Sequence, residues 1–275
     1  MATALNRLVT ILREMESVVI AYSGGVDSTF LLKAAALSGI RLMAVTGSSP
    51  TMPRQDLMDA EGMAKALGIP HTLIETSELE KEDFRKNPPD RCFHCKSELF
   101  AKLRCIAESE GYRYVLDGSN VDDLDDWRPG RRAALAHGVR SPLIEAGLKK
   151  QDIRDLSLEL NLPTWNKPSS PCLSSRFPYG EPITAEALVR VESAEKVLRS
   201  FGFREFRVRH HGETARIEIL EADIPRFLDP EIRIPVTRHL RALGYRYVTL
   251  DLEGFRSGRL NEAVSGSQSS QHQPN

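Results

Sequence analysis

The sequence predicts an α/β protein, a doubly wound parallel sheet followed by a smaller C-terminal α+β domain. Three observations predict it. Over the first half of the chain, short apolar runs alternate with helix-length amphipathic segments, the pattern of strands covered by crossover helices. The first run, Val18-Val19-Ile20-Ala21-Tyr22, leads into a glycine-rich turn, Ser23-Gly24-Gly25-Val26-Asp27-Ser28, and then a helical pattern from Phe30. After Thr184 the alternation gives way to one helix, two β-type runs, a broken helical stretch and a last strand.

Residues 2–15 carry Leu5, Leu8, Val9 and Leu12 at helical spacing. Residues 17–22 read as a strand buried on both faces, and the turn and its helix run to Ser38. A second strand covers 41–46. A helix follows from Pro53 to Leu67, with Gly68 in a capping position. Residues 71–75 form a third strand, 92–110 a helix and 112–117 a fourth strand. Ser141-Pro142-Leu143 starts a short strand-like piece, and 148–160 is a helix with lysines near its start. The stretch 161–180, with Pro163, Pro168, Pro171 and Pro178, marks the boundary region. Beyond it come a helix to Ser200, strands at 206–210 and 215–220, helical residues 222–243 interrupted at Pro225 and Pro230, and a strand at 245–250. These last strands are expected in an antiparallel sheet. The domains predicted are 1–165, a connector 166–180 bearing Cys172, 181–261, and a disordered Ser/Gln/Gly-rich tail, 262–275.

At 41% hydrophobic and 27% charged residues, the composition is that of a water-soluble globular protein. No apolar run approaches 18 residues, so no membrane span is expected. The first 15 residues lack a signal peptide's apolar block, which predicts a cytoplasmic location. A net charge of −1 gives no general attraction for nucleic acid. Residues 181–261 nevertheless contain 13 arginines and 1 lysine, and arginine's planar fork suits phosphate or carboxylate.

The turn at Ser23–Ser28 carries the clearest chemistry. A strand–turn–helix places backbone N–H groups and a helix N-terminus around an anion. Gly24 and Gly25 let the backbone approach a phosphate, Ser23 and Ser28 add hydroxyl donors, and Asp27 can hold Mg²⁺ on the same phosphates. No GK[ST] follows, which excludes a Walker A loop. Ligands of a doubly wound sheet bind at the carboxyl ends of its strands. Thr46 and the acidic loop with Asp117, Asn120 and Asp122 are therefore expected to share the crevice and contact metal or ATP.

Cys92 and Cys95 stand three apart at a helix start, and Cys172 lies in Pro171-Cys172-Leu173-Ser174-Ser175-Arg176. Structural zinc, an iron–sulfur cluster with one open iron, and a redox dithiol all remain open for this set. Cys172 has a separate reading as a nucleophile with Arg176 four residues on. Cys105 lies off the apolar stripe of its helix and reads as structural or incidental. Arg207 and Arg209, two apart on a strand, share one face.

Several motifs together carry a resemblance to a known family. SGGVDS matches the PP-loop of the ATP pyrophosphatases, which have an adenine-nucleotide alpha-hydrolase-like fold. With the Ser48-Ser49-Pro50 turn, RCFHCK, DGSNVDD and WRPGRRA, RSPL, KPSSPCLSSRFPYG, FRVRHHG with ARIEI, and DLEGFRSG, the chain resembles the LarE family over residues 15–260. Those are PP-loop sulfurtransferases that help make the nickel-pincer nucleotide cofactor of lactate racemase. The resemblance implies that ATP adenylylates a carboxylate of a pyridinium-3,5-biscarboxylic acid mononucleotide with release of pyrophosphate. A sulfur nucleophile then displaces AMP.

The resemblance also implies roles. Ser23, Gly24, Gly25, Asp27 and Ser28 hold the ATP phosphates. Arg207, Arg209 and Arg256 meet the phosphate of a small nucleotide substrate, and Arg176 stabilises the adenylate or a thiolate. Cys92, Cys95 and Cys172 match the three-cysteine type, which favours a [4Fe-4S] cluster over sacrifice of Cys172 to dehydroalanine. A trimer-based hexamer is implied as well. Gln55-Asp56 stands where the family leads one to expect glutamate, and it reads as helix surface. The rival readings are another PP-loop enzyme, a tRNA thiolase or an amide synthetase, and a zinc-stabilised nucleotide-binding module without catalysis.

Overall fold

The computed structural model describes residues 2–124 and 129–256. The predicted tail at 262–275 and the residues Asp125, Asp126, Trp127 and Arg128 lie outside them. The chain divides into two compact units, Met1–Glu78 with Asp90–Ser170, and Leu79–Pro89 with Pro171–Asn275.

The first unit is the doubly wound half. Strands β1 (Ser17–Ala21), β2 (Arg41–Ser48), β3 (His71–Glu75) and β4 (Tyr114–Leu116) form one sheet in the order β3-β2-β1-β4. Every pairing is parallel, with Val19 opposite Met43 on one side and Val115 on the other. Parallel neighbours require crossovers, and α1 (Ala2–Met15), α2 (Val26–Ser38) and α3 (Arg54–Ala66) supply the early helical layer. All five residues of β1 are buried, and their alternation feeds two cores. Val18 and Ile20 pack with Leu8, Leu12, Phe30 and Ala60, while Val19 and Ala21 pack with Phe100, Leu103 and Ala133. Each such aliphatic side chain contributes roughly 1.5–3 kcal/mol on burial.

In the second unit, α4 (Glu82–Arg85) comes first. A first domain unbroken to 165 is expected from the sequence, whereas this segment is fastened to residues beyond 170. Asn87 Nδ2 donates to the Pro178 carbonyl at 2.7 Å, the Gly180 amide to the Asn87 carbonyl and the Ile183 amide to the Arg85 carbonyl. The chain returns to the first unit in α5 (Arg91–Glu110), α6 (Pro129–Ala136), α7 (Pro142–Glu145) and α8 (Lys150–Glu159). The strand-like piece expected at Ser141–Leu143 is instead the turn of helix α7. Its Pro142 takes the first helical position, where a missing N–H costs nothing, and the strand pairing stops at a single bridge, Leu116 with Arg140.

The rest of the second unit packs α9 (Ala185–Ser200), α10 (Ile224–Leu228) and α11 (Pro230–Ala242) with β5 (Phe206–His211), β6 (Thr214–Ile219) and β7 (Tyr247–Leu250). The expected antiparallel sheet is corrected here. β5 and β6 form an antiparallel hairpin, but β6 and β7 run parallel. A helical crossover of this length carries the chain back to the same end of the sheet, so the returning strand is parallel. Its core gathers Leu198, Phe203, Val208, Ile217, Phe227, Leu240 and Tyr245. Among the described residues no helix is long and apolar enough to cross a membrane.

Candidate functional site

The anion cradle is built at the carboxyl end of β1. Gly25 caps α2 with extended backbone and no side-chain cap, so the N–H groups of Val26, Asp27 and Ser28 have no intrahelical acceptor. Gly24 has φ 68°, in the left-handed region, and a Cβ there would stand 3.0 Å from the Ala60 Cβ. The loop is tied across its mouth. Ser23 Oγ and Ser28 Oγ are 3.1 Å apart, and the Ser23 amide donates to Ser28 Oγ at 3.3 Å.

The strand ends converge as their sequence positions require. Thr46 Oγ1 donates to the Tyr22 carbonyl at 2.7 Å and lies 2.8 Å from His71 Nε2. Thr46 is 2% exposed, and its hydroxyl ties β2 to the residue that follows β1. Burial holds His71 below its ordinary pKa and Tyr22 above its own. Asn120 Nδ2 reaches Asp27 Oδ1 at 3.4 Å. Asp117 accepts from Ser119 and from Ser141 Oγ (2.7 Å), which orders the acidic loop. Asp122 Oδ2 accepts the Lys150 amide at 2.8 Å. Carboxylate oxygens are the donors that a hard cation takes, so Asp27 and Asp122 fit Mg²⁺, whereas Asn120 turns its Nδ2 to Asp27 and its Oδ1 to the Asp122 amide.

Two lysines to which the sequence alone assigns no site role stand at the ends of the loop. Lys150 Nζ lies 2.5 Å from Asp27 Oδ2. Lys167 Nζ lies 3.4 Å from the Gly24 carbonyl and 3.4 Å from both Asp56 and Asp59. Asp56 also accepts from Ser170 Oγ at 2.6 Å. It therefore fastens the 167–170 segment, which corrects its reading as plain helix surface. A cavity of about 440 Å³ beside Gly24 is lined by Asp59, Met63, Thr164, Asn166 and Lys167.

The cysteines divide between the units. Cys92 and Cys95 lie on the first turns of α5 in the first unit, Cys172 is in the second, and Cys105 is exposed on α5. None forms a disulfide. Thiolates are the donors that an iron–sulfur cluster takes. However, among the described residues no three His, Cys, Asp or Glu side chains gather as a metal-holding group.

Cys172 opens a 3₁₀ turn, Leu173–Arg176. Its carbonyl accepts from the Ser175 amide (3.0 Å), Ser175 Oγ (2.8 Å) and Arg176 Nη1 (3.1 Å). Arg176 also donates to the Pro171 carbonyl at 2.6 Å and grips Glu195 through Nε and Nη2 at 2.8 and 2.9 Å. At 2% exposure, its guanidinium is engaged in shaping the turn that bears Cys172.

The arginine face of the small sheet sorts in the same way. Arg207 lies across from Glu218, and Arg209 across from Arg216. Arg209 donates to Glu218 Oε2 at 2.8 and 2.9 Å and to the Ser175 carbonyl at 2.7 Å. Arg216 donates to the other Glu218 oxygen at 3.0 Å. Glu218, fully buried, therefore anchors two guanidinia. Arg207 stacks 4.9 Å from the Phe255 ring centroid. Desolvation first, then the neighbouring Arg176, holds its pKa down to about 10. Arg256 is solvent-facing and pairs with Glu253 at 2.8 Å.

No protein-family model matches the chain. An uncharacterised protein of Synechocystis is 45% identical over 253 residues, 92% of this chain and 94% of that protein. The pyridinium-3,5-bisthiocarboxylic acid mononucleotide synthase of Lactiplantibacillus plantarum is 41% identical over 270 residues, 98% of this chain and 97% of the relative. A tRNA-specific 2-thiouridylase of Xanthobacter autotrophicus is 29% identical over 218 residues, covering 65% of this chain and 55% of its own.

Proposed function

The chain belongs to the LarE family of pyridinium-3,5-bisthiocarboxylic acid mononucleotide synthases, and from that membership we propose that it converts a carboxylate of a pyridinium biscarboxylic acid mononucleotide to a thiocarboxylate. It is an ATP-dependent sulfurtransferase of the PP-loop superfamily. The observation that carries the reading is the cradle at Ser23–Ser28. Its free N–H groups, tied serines and Asp27 stand at the end of a central parallel strand, in a chain collinear with the named synthase.

The chemistry proceeds in two displacements. A carboxylate oxygen of the substrate attacks the α-phosphorus of ATP, and the bond to pyrophosphate breaks. The N–H groups of Val26, Asp27 and Ser28 and the hydroxyls of Ser23 and Ser28 hold the charge that gathers on the departing phosphates. Mg²⁺ held by Asp27 would share that charge. Sulfur then attacks the acyl carbon and AMP leaves with its bonding electrons. A free carboxylate is a poor acceptor and an acyl adenylate a good one, which is why the first step is needed. Arg207 and Arg256 are proposed to meet the substrate phosphate, with Arg209 holding their face in shape through Glu218.

The donor chemistry of Cys92, Cys95 and Cys172 suits a [4Fe-4S] cluster, which when bound would offer an open iron to sulfide. The second reading rests on the turn gripped by Arg176. There the Cys172 thiolate attacks the adenylate, loss of its Cα proton breaks the Cβ–S bond, and dehydroalanine remains.

Anaerobic reconstitution with iron and sulfide, followed by iron analysis and mass spectrometry of the used enzyme, separates the two. Bound iron that is lost in Cys92→Ala supports the cluster. No iron, and a mass lowered by one H₂S, supports sacrifice. Substrate-dependent pyrophosphate release that survives Asp27→Ala would sink the ATP reading itself.

A further inference from the structure

The Lys150–Asp27 pair joins the first turns of α2 and α8, through residues that are 123 positions apart in sequence. It is part of a closed ring. Lys150 Nζ meets Asp27 Oδ2, Asn120 Nδ2 meets Asp27 Oδ1, the Asp122 amide donates to Asn120 Oδ1 at 3.0 Å, and the Lys150 amide donates to Asp122 Oδ2. Both oxygens of the carboxylate are thus already claimed, one by a full positive charge. The side chains are 37% and 24% exposed, so the pair is open to exchange with solutes.

A divalent cation and this ammonium want the same oxygen. Mg²⁺ gives up its water reluctantly and is usually held by one or two carboxylates together with substrate phosphates. A bare cation reaching Asp27 must displace the ammonium and then sit beside it, with one carboxylate for two positive centres. The metal–triphosphate complex brings the negative charge that accommodates both.

We infer that Lys150 is a counter-ion lock on Asp27, a positioning residue that excludes a bare divalent cation from the loop and yields only to the metal–nucleotide complex, whose phosphates then take up the ammonium. This inference rests on the ATP reading given above.

Mn²⁺ titration followed by electron paramagnetic resonance, on the full chain with and without ATP, tests it. Without nucleotide, Lys150→Met should bind Mn²⁺ about tenfold more tightly than the native chain, as expected for removing a cation a few ångströms from the ion. Lys150→Arg, which keeps the charge, should behave like the native chain. The double variant Lys150→Met/Asp27→Asn should lose the gained site. With ATP present, Lys150→Met should bind the Mn²⁺ complex more weakly than the native chain.

Equal Mn²⁺ affinity of the native chain and Lys150→Met without nucleotide would overturn the lock. So would a gain that persists in the double variant. Failure of ATP to raise Mn²⁺ binding by the native chain would instead overturn the nucleotide reading, while the nucleotide-free comparison still decides the competition at Asp27. Circular dichroism melts of each variant confirm that the fold is kept.

Discussion

Gly118, at the carboxyl end of β4, lies so close to Ser28 that a Cβ on it would stand 3.1 Å from the Ser28 amide nitrogen and 3.2 Å from its Cα. Gly118 does not have a positive φ, so alanine is tolerated by its own backbone and only the contact is tested. The atoms it would meet belong to the first turn of α2 and cannot swing aside as a side chain can. Gly118→Ala should cost roughly 1–3 kcal/mol by overpacking. By displacing the cradle it should also lower pyrophosphate release about 100-fold, the scale expected of an ångström-sized misplacement. Urea unfolding and a pyrophosphate assay measure the two effects; activity at the native level would show that the loop does not depend on this contact.

Arg176 and Glu195 should behave as a buried unit. Arg176→Met leaves the Glu195 carboxylate with the Val208 amide as its hydrogen-bond donor among the described residues, and should cost about 3–5 kcal/mol, the usual loss when one member of a buried pair is removed. Arg176→Met/Glu195→Leu should recover most of that stability, because no charge is then stranded. It should not recover sulfur transfer, since the Pro171 and Cys172 carbonyls still lack the Nη1 donor. Recovery of both would place Arg176 outside the function of the turn.

Much of this fold is legible in the residues, for reasons that differ by element. β1 is buried on both faces, so it is written as a continuous apolar run, and the loop after it depends on local geometry that glycine and serine encode directly. The direction of β7 is not written locally. Its residues would read the same in either orientation, and the α10–α11 crossover decides it. Period-two spacing correctly puts Arg207 and Arg209 on one face. Which of them is locked depends on Glu218, which sits opposite Arg207 but binds the Arg209 guanidinium diagonally, and so on a pairing register that one strand does not contain. The Lys150–Asp27 and Lys167–Asp56 contacts join residues more than a hundred positions apart, and no spacing rule reaches that far.

Arg207 and Arg209 should separate in kinetics. Arg207→Gln is expected to leave the fold intact and to raise KM for the nucleotide substrate about tenfold to a hundredfold, given ~1.5–3 kcal/mol for a hydrogen bond to a charged group. Arg209→Gln removes one of the two guanidinia on the buried Glu218, so its main effect should be a lower unfolding midpoint with a smaller change in KM. A larger KM effect at Arg209 than at Arg207 would reverse the assignment of phosphate contact and support.

Three histidines, His71, His210 and His211, are held below their ordinary pKa, in each case first by burial. His210 is the best enclosed. Its Nδ1 lies 3.2 Å from the Tyr245 hydroxyl and its Nε2 3.7 Å from Glu181, whose charge opposes the depression without cancelling it. A histidine with a folded pKa below its unfolded value takes up its proton more readily when unfolded, so stability is full above the unfolded pKa of about 6.5 and falls as pH drops below it. Between about pH 6.5 and 5 each such histidine can add up to ~1.4 kcal/mol per pH unit to the slope. His210→Gln keeps a polar group near Tyr245 and cannot titrate. Urea unfolding across this window should therefore give a shallower slope for His210→Gln than for the native chain, with the two converging in shape above pH 7. Parallel curves throughout the window would mean that His210 takes up its proton equally well folded and unfolded, and that the pocket formed by Tyr245 and by Phe177, whose ring centroid lies 4.9 Å from that of His210, does not exclude the charge.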